Sequence, residues 1–121
     1  MKLRIQDNSL RLRLTKPEVD SIISGKSVAA STLFGESAFV YQLIPSNESG
    51  LSAKFKNGEI SVFINEDLAK TWVDETKVGF EDTLIINEQK LHLLIEKDFK
   101  CLSPAREGKE NEMFENPSTK C

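Results

Sequence analysis

The sequence predicts an α+β domain in which four hairpins supply about eight strands of a curved or closed antiparallel sheet, accompanied by two helices. Three observations lead there. Apolar and polar residues alternate on both sides of the turns at Asp7-Asn8 and Asn57-Gly58, which is the period of half-buried strands, and two further short turns join strand-like runs. Two helix starts carry capping residues at matching places, Thr15 and Asn65. Residues 1–28 laid over 51–78 without a gap put all ten apolar residues of the first stretch on apolar residues of the second. A ββαββ unit over about 1–44 is therefore expected to recur over about 51–96 as a pseudo-two-fold repeat. Closure of the sheet would remove its exposed edges.

Leu3 and Ile5, then Leu10, Leu12 and Leu14, mark the first two strands, with the turn at Asp7-Asn8. Thr15-Lys16-Pro17-Glu18 reads as a capping box, with Leu14 and Val19 as its hydrophobic staple. The helix should run from about Lys16 to Ser24, bury Val19, Ile22 and Ile23, and end at Gly25 in a left-handed conformation. Strands over roughly 27–34 and 37–44 follow, joined at Gly35-Glu36. The loop Pro45 to Gly50 divides the two halves.

The second half opens on Asn57-Gly58, the preferred pair for a tight hairpin turn, flanked by Leu51, Ala53 and Phe55 and by Ile60, Val62 and Ile64. Asn65 caps a second helix with Glu66 and Asp67 in its first turn and a buried stripe of Leu68, Ala69, Trp72 and Val73. A last hairpin, about 79–86 and 90–96, turns at Asn87-Glu88. Beyond Leu102 apolar residues become sparse, so 1–102 is expected to be the single domain and 103–121, with Met113 and Phe114, a disordered tail.

The chain's 121 residues suit one core. Its net charge of −3 and pI near 5.2 argue against binding duplex nucleic acid, which requires a basic footprint. No apolar stretch is long enough to cross a bilayer, and no secretory h-region opens the sequence. Cys101 and Cys121 alone give no disulfide framework. A cytoplasmic protein without a membrane partner is the expectation.

The most informative feature is the other face of the first hairpin. A two-residue turn at Asp7-Asn8 sets Arg4 opposite Arg11 and Lys2 opposite Arg13, and like charges across a strand pair are destabilising. Two readings follow. In one, carboxylates from neighbouring strands (Glu59, Glu81, Asp82, Glu96 or Asp98) or solvent neutralise the face. In the other, Lys2, Arg4, Arg11 and Arg13 form a ligand-binding site for a small anionic or phosphorylated ligand, Arg offering a planar fork for phosphate. Phe63, which stands where the first unit has Arg13, is either a packing residue or part of an interface.

No catalytic residue, metal ligand or cofactor is assigned. His92 is the sole histidine and lies on the strand face opposite Leu91 and Leu93, and with the two cysteines it lacks metal-site spacing. There is no Gly-rich phosphate loop and no nucleophile elbow.

The order of elements and the basic strand face are similar to the triphosphate-tunnel (CYTH-like) enzymes, whose antiparallel barrel binds phosphate chains through interior basic residues. Those enzymes carry Glu-x-Glu-x-Lys on the first strand, whereas this chain has Leu3-Arg4-Ile5-Gln6, so the similarity implies fold and not activity. Met1-Lys2-Leu3-Arg4-Ile5, Asn8 to Thr15 and Glu96 to Leu102 resemble an uncharacterised family of short bacterial proteins, which implies no activity or cofactor. Three functions compete on these grounds: an anion-binding module, a protein-interaction or homodimeric module without catalysis, and a metal-dependent phosphohydrolase.

Overall fold

The computed structural model describes residues 1–99. Eight strands and two helices follow in the order β1 (Lys2–Gln6), β2 (Ser9–Leu14), α1 (Lys16–Ile23), β3 (Val28–Phe34), β4 (Ser37–Ser46), β5 (Leu51–Lys56), β6 (Glu59–Asn65), α2 (Glu66–Lys70), β7 (Gly79–Ile86) and β8 (Gln89–Lys97). The expected tail, with Cys101, Cys121, Met113 and Phe114, lies outside the described residues. None of the described helices is long and apolar enough to cross a membrane.

Local signals account for the element ends. Thr15 donates its backbone N–H to Glu18 Oε1 at 2.8 Å, the reciprocal half of the capping box. At the other end of α1, Gly25 adopts φ 87°, and the N–H groups of Gly25 and Lys26 donate to the carbonyls of Ile22 and Ser21. This is the Schellman closure that a side chain would strain. Asn65 Oδ1 accepts from the N–H groups of Asp67 and Leu68, both at 3.0 Å, as an N-cap should. The second helix is shorter than its apolar stripe implies. It tightens into a 3-10 turn over Thr71–Val73, which keeps Trp72 buried and turns Val73 out to solvent, 71% exposed.

The strands form two four-stranded sheets rather than one curved or closed antiparallel sheet. Their orders are β1-β2-β8-β7 and β3-β4-β6-β5. Each hairpin is antiparallel, but the central seams, β2 with β8 and β4 with β6, are parallel. The sheets are therefore mixed, and no barrel closes. Each sheet joins the first hairpin of one half to the second hairpin of the other.

Burial explains which strand of each hairpin takes the seam. In β6, Ile60, Val62 and Ile64 are all buried, while its hairpin mate β5 carries Lys54 and Lys56 and stays at an edge. β8 buries Leu93 and Ile95 while β7 bears Glu81 and Asp82. Charge on an edge strand discourages further pairing and costs nothing in the core.

One core lies between the sheets, from Leu12, Leu14, Leu43, Val62, Ile64, Leu93 and Ile95, and is closed at one end by Ile22 of α1 and by Ala69 and Trp72. Trp72 is 1% exposed, meets Phe80 edge-on at 5.2 Å, and donates its indole N–H to the Val78 carbonyl at 3.2 Å. Gly79 lies so close to β8 that a Cβ there would stand 2.1 Å from the Ile95 carbonyl oxygen. The end with the hairpin turns is not closed in this way.

Candidate functional site

The β1–β2 register is the one the turn implies. Arg4 pairs with Arg11 and Lys2 with Arg13. Parallel pairing then sets Glu96 of β8 beside Arg13, and its Oε1 accepts from Arg13 Nε at 2.8 Å while Arg11 Nε lies 3.5 Å away. Lys2 pairs with Asp98 at 3.2 Å. Arg4 donates to the Gln6 amide oxygen at 3.4 Å and has no carboxylate partner among the described residues. These side chains alternate with Leu3 and Leu12, which belong to the core cluster, so they lie on the outer face of the sheet. Of the five carboxylates the sequence offered, Glu96 and Asp98 are the ones that reach the cluster.

The same outer face carries an arrangement the sequence reading did not assemble. Thr83 Oγ1 lies 2.7 Å from His92 Nδ1, and His92 Nε2 lies 3.0 Å from Glu81 Oε1. The order hydroxyl, imidazole, carboxylate matches a nucleophile, base and orienting group, but all three stand exposed on a flat strand ladder. The Thr83 N–H is taken up by Asp82 Oδ1 at 2.8 Å, and three exposed side chains on a strand ladder lack the enclosure that such chemistry needs. Elsewhere, Lys54 Nζ sits over the Phe63 ring at 5.8 Å, which gives that half-buried aromatic a local packing role. Among the described residues no three His, Cys, Asp or Glu side chains converge as metal ligands.

A cleft opens at the hairpin-turn end, where the two sheets part. Its volume is about 680 Å³, and Ile5, Leu10, Phe39, Phe55, Ile86 and Leu91 line it, with Asp7, Asn8 and Ser9 at one rim and Lys54 and Lys56 at another. Ile5 pairs with Leu10 and Phe55 with Ile60, so both belong to inward faces, yet they are 58% and 70% exposed. An inward-facing aromatic with that much exposure marks a core left open. Strand periodicity identifies the face such a residue occupies, but not whether another sheet covers it. That is why the sequence reading, which took these positions as ordinary core, missed the cleft.

These features define a small two-sheet α+β domain with an apolar cleft at one end and a basic outer face. The chain belongs to a family of unknown function (DUF7009), whose model matches residues 1–118. This agrees with the resemblance to an uncharacterised family that the sequence carried. No curated protein and no solved structure matched the chain.

Proposed function

We propose that this protein is a binding module whose ligand has an apolar body and an anionic end, the body filling the cleft between the sheets. The observation that carries this reading is the exposure of Ile5 and Phe55, one on each sheet, on faces that elsewhere in the fold are buried. A concave, mainly apolar site of this volume with a few polar groups at its rim suits a small molecule. Lys56 stands beside Phe55 at the rim with no carboxylate partner among the described residues, which favours an anionic end over a cationic one. We read the two halves as copies of one ββαββ unit, a reading supported by the exchange of hairpins between the sheets.

The test uses an apolar aromatic anion, 1-anilinonaphthalene-8-sulfonate, titrated into the folded chain and displaced by decanoate. Saturable binding is expected, weakened about ten-fold or more by Phe55→Asp, since burying a Phe side chain contributes roughly 1.5–3 kcal/mol. Binding that is absent, or unchanged in Phe55→Asp, overturns the reading.

A second reading keeps the anion site at Lys2, Arg4, Arg11 and Arg13. It is favoured by Arg4, which faces Arg11 and has no carboxylate partner among the described residues. Glu96 competes with any ligand at Arg11 and Arg13, so a polyvalent anion such as pyrophosphate is the better probe. Stabilisation by pyrophosphate beyond an ionic-strength control, lost in Arg4→Ala/Arg11→Ala, supports it. Equal shifts in both proteins count against it.

A further inference from the structure

Four strands form sheet edges, and three of them carry charge. β1 has Lys2 and Arg4, β5 has Lys54 and Lys56, and β7 has Glu81 and an inward-facing Asp82 opposite the buried Leu93. Charged and inward-pointing charged residues are the usual guards against edge-to-edge pairing. The fourth edge, β3, reads Val28-Ala29-Ala30-Ser31-Thr32-Leu33-Phe34 and has no charge, proline or glycine. Its backbone pairs with β4 on one side only, and among the described residues it makes no other backbone hydrogen bond. Leu33 and Phe34 at its end are 76% and 65% exposed.

We propose that β3 pairs antiparallel with β3 of a second copy of this chain, joining two four-stranded sheets into one of eight. A two-fold axis sets each residue against its mirror position, so any charge near the centre would face its own copy. β3 meets that demand, and the other edges do not. With the axis through Ser31, Val28 faces Phe34 of the second copy and Ala29 faces Leu33, so small residues lie against the large exposed ones.

The same register brings Lys26 toward Glu36 of the second copy at both ends. Neither residue has an ion-pair partner among the described residues. Moving the axis to Ala30 or Thr32 sets Lys26 against Phe34 or Ala38 and loses both pairs. Charge complementarity thus selects one register and one partner, another molecule of the same sequence. A strand-pair interface of seven residues a side is small, so the dimer is concentration-dependent.

Sedimentation velocity of the full chain over the micromolar to millimolar range tests this. The wild type is expected to pass from a 13.6 kDa species to one of twice that mass. Ser31→Lys, at an exposed position, sets two ammonium groups face to face and should remain monomeric, with unchanged circular dichroism and Trp72 fluorescence. Lys26→Glu is expected to weaken the dimer about five-fold. The double variant Lys26→Glu/Glu36→Lys is expected to regain wild-type affinity, which a dimer formed through another surface would not do. A wild type monomeric throughout, a Ser31→Lys variant that still dimerises, or a double variant no tighter than Lys26→Glu overturns the proposal.

Discussion

Arg13 donates its Nε–H to Glu96 Oε1 at 2.8 Å across the parallel seam of β2 and β8, and the same oxygen lies 3.5 Å from Arg11 Nε. One carboxylate thus offsets two guanidiniums that the strand pattern places on one face. Glu96→Gln leaves the shape intact and removes the counter-charge. A loss of about 1 kcal/mol at low ionic strength is expected by urea unfolding, shrinking as salt is added because the side chains are partly solvated. A loss that does not depend on salt would mean that Glu96 acts through packing.

Glu18 binds the Met1 ammonium at 2.6 Å and accepts from the Thr15 backbone N–H and hydroxyl. Partial burial raises its carboxyl pKa, but these donors lower it by more, and it lies below its ordinary value of 4.5. A depressed folded value contributes stability that is whole above the unfolded pKa and is lost as pH falls through the folded one. Glu18→Gln is expected to cost about 1 kcal/mol at neutral pH and progressively less below about pH 4. Urea midpoints of both proteins against pH check this.

Gly79 has no room for a side chain, because its Cβ would meet the Ile95 carbonyl oxygen at 2.1 Å. The obstacle is strand backbone, so β7 would have to move away from β8. Gly79→Ala is expected to destabilise by about 3 kcal/mol, the upper range for overpacking. Thermal unfolding followed by circular dichroism measures it.

The turn between β7 and β8 holds Asn87 at φ 50° and Glu88 at φ 67°. A left-handed Glu costs roughly 1–2 kcal/mol, which exceeds the entropy that glycine adds to the unfolded chain. Glu88→Gly should therefore stabilise the fold by about 0.5–1 kcal/mol, read from the urea midpoint.

Trp72 ties the second helical segment to β7 through its ring contact with Phe80 and its bond to the Val78 carbonyl. Trp72→Phe retains much of the apolar volume and removes one of that carbonyl's two donors, the Lys97 N–H remaining at 3.0 Å, for an expected loss of about 1–2 kcal/mol. Trp72→Ala should cost about 3–5 kcal/mol. Similar losses in the two variants, by circular dichroism, would show that the hydrogen bond matters more than the volume.

Most strand bounds, the hairpin registers, both N-caps and the Gly25 closure were legible in the sequence because each depends on residues close together in the chain. By contrast, β4 runs on through Pro45 and Ser46, where a loop was expected, because both pair with β6. A turn at Asp7-Asn8 is enough to set Arg4 against Arg11, and Thr15 with Glu18 is enough to start α1. Only the tertiary structure decided which hairpins share a sheet, that the seams are parallel, and that Glu96 and Asp98 are the carboxylates that meet the basic face. Arg13 and Glu96 are 83 residues apart, and alternation gives Glu96 a face without giving it a neighbour. The cleft has the same origin. Ile5 and Phe55 have the pattern of core residues, and their exposure follows from how far apart the two sheets stand at the hairpin turns, a distance set by the packing of the whole domain.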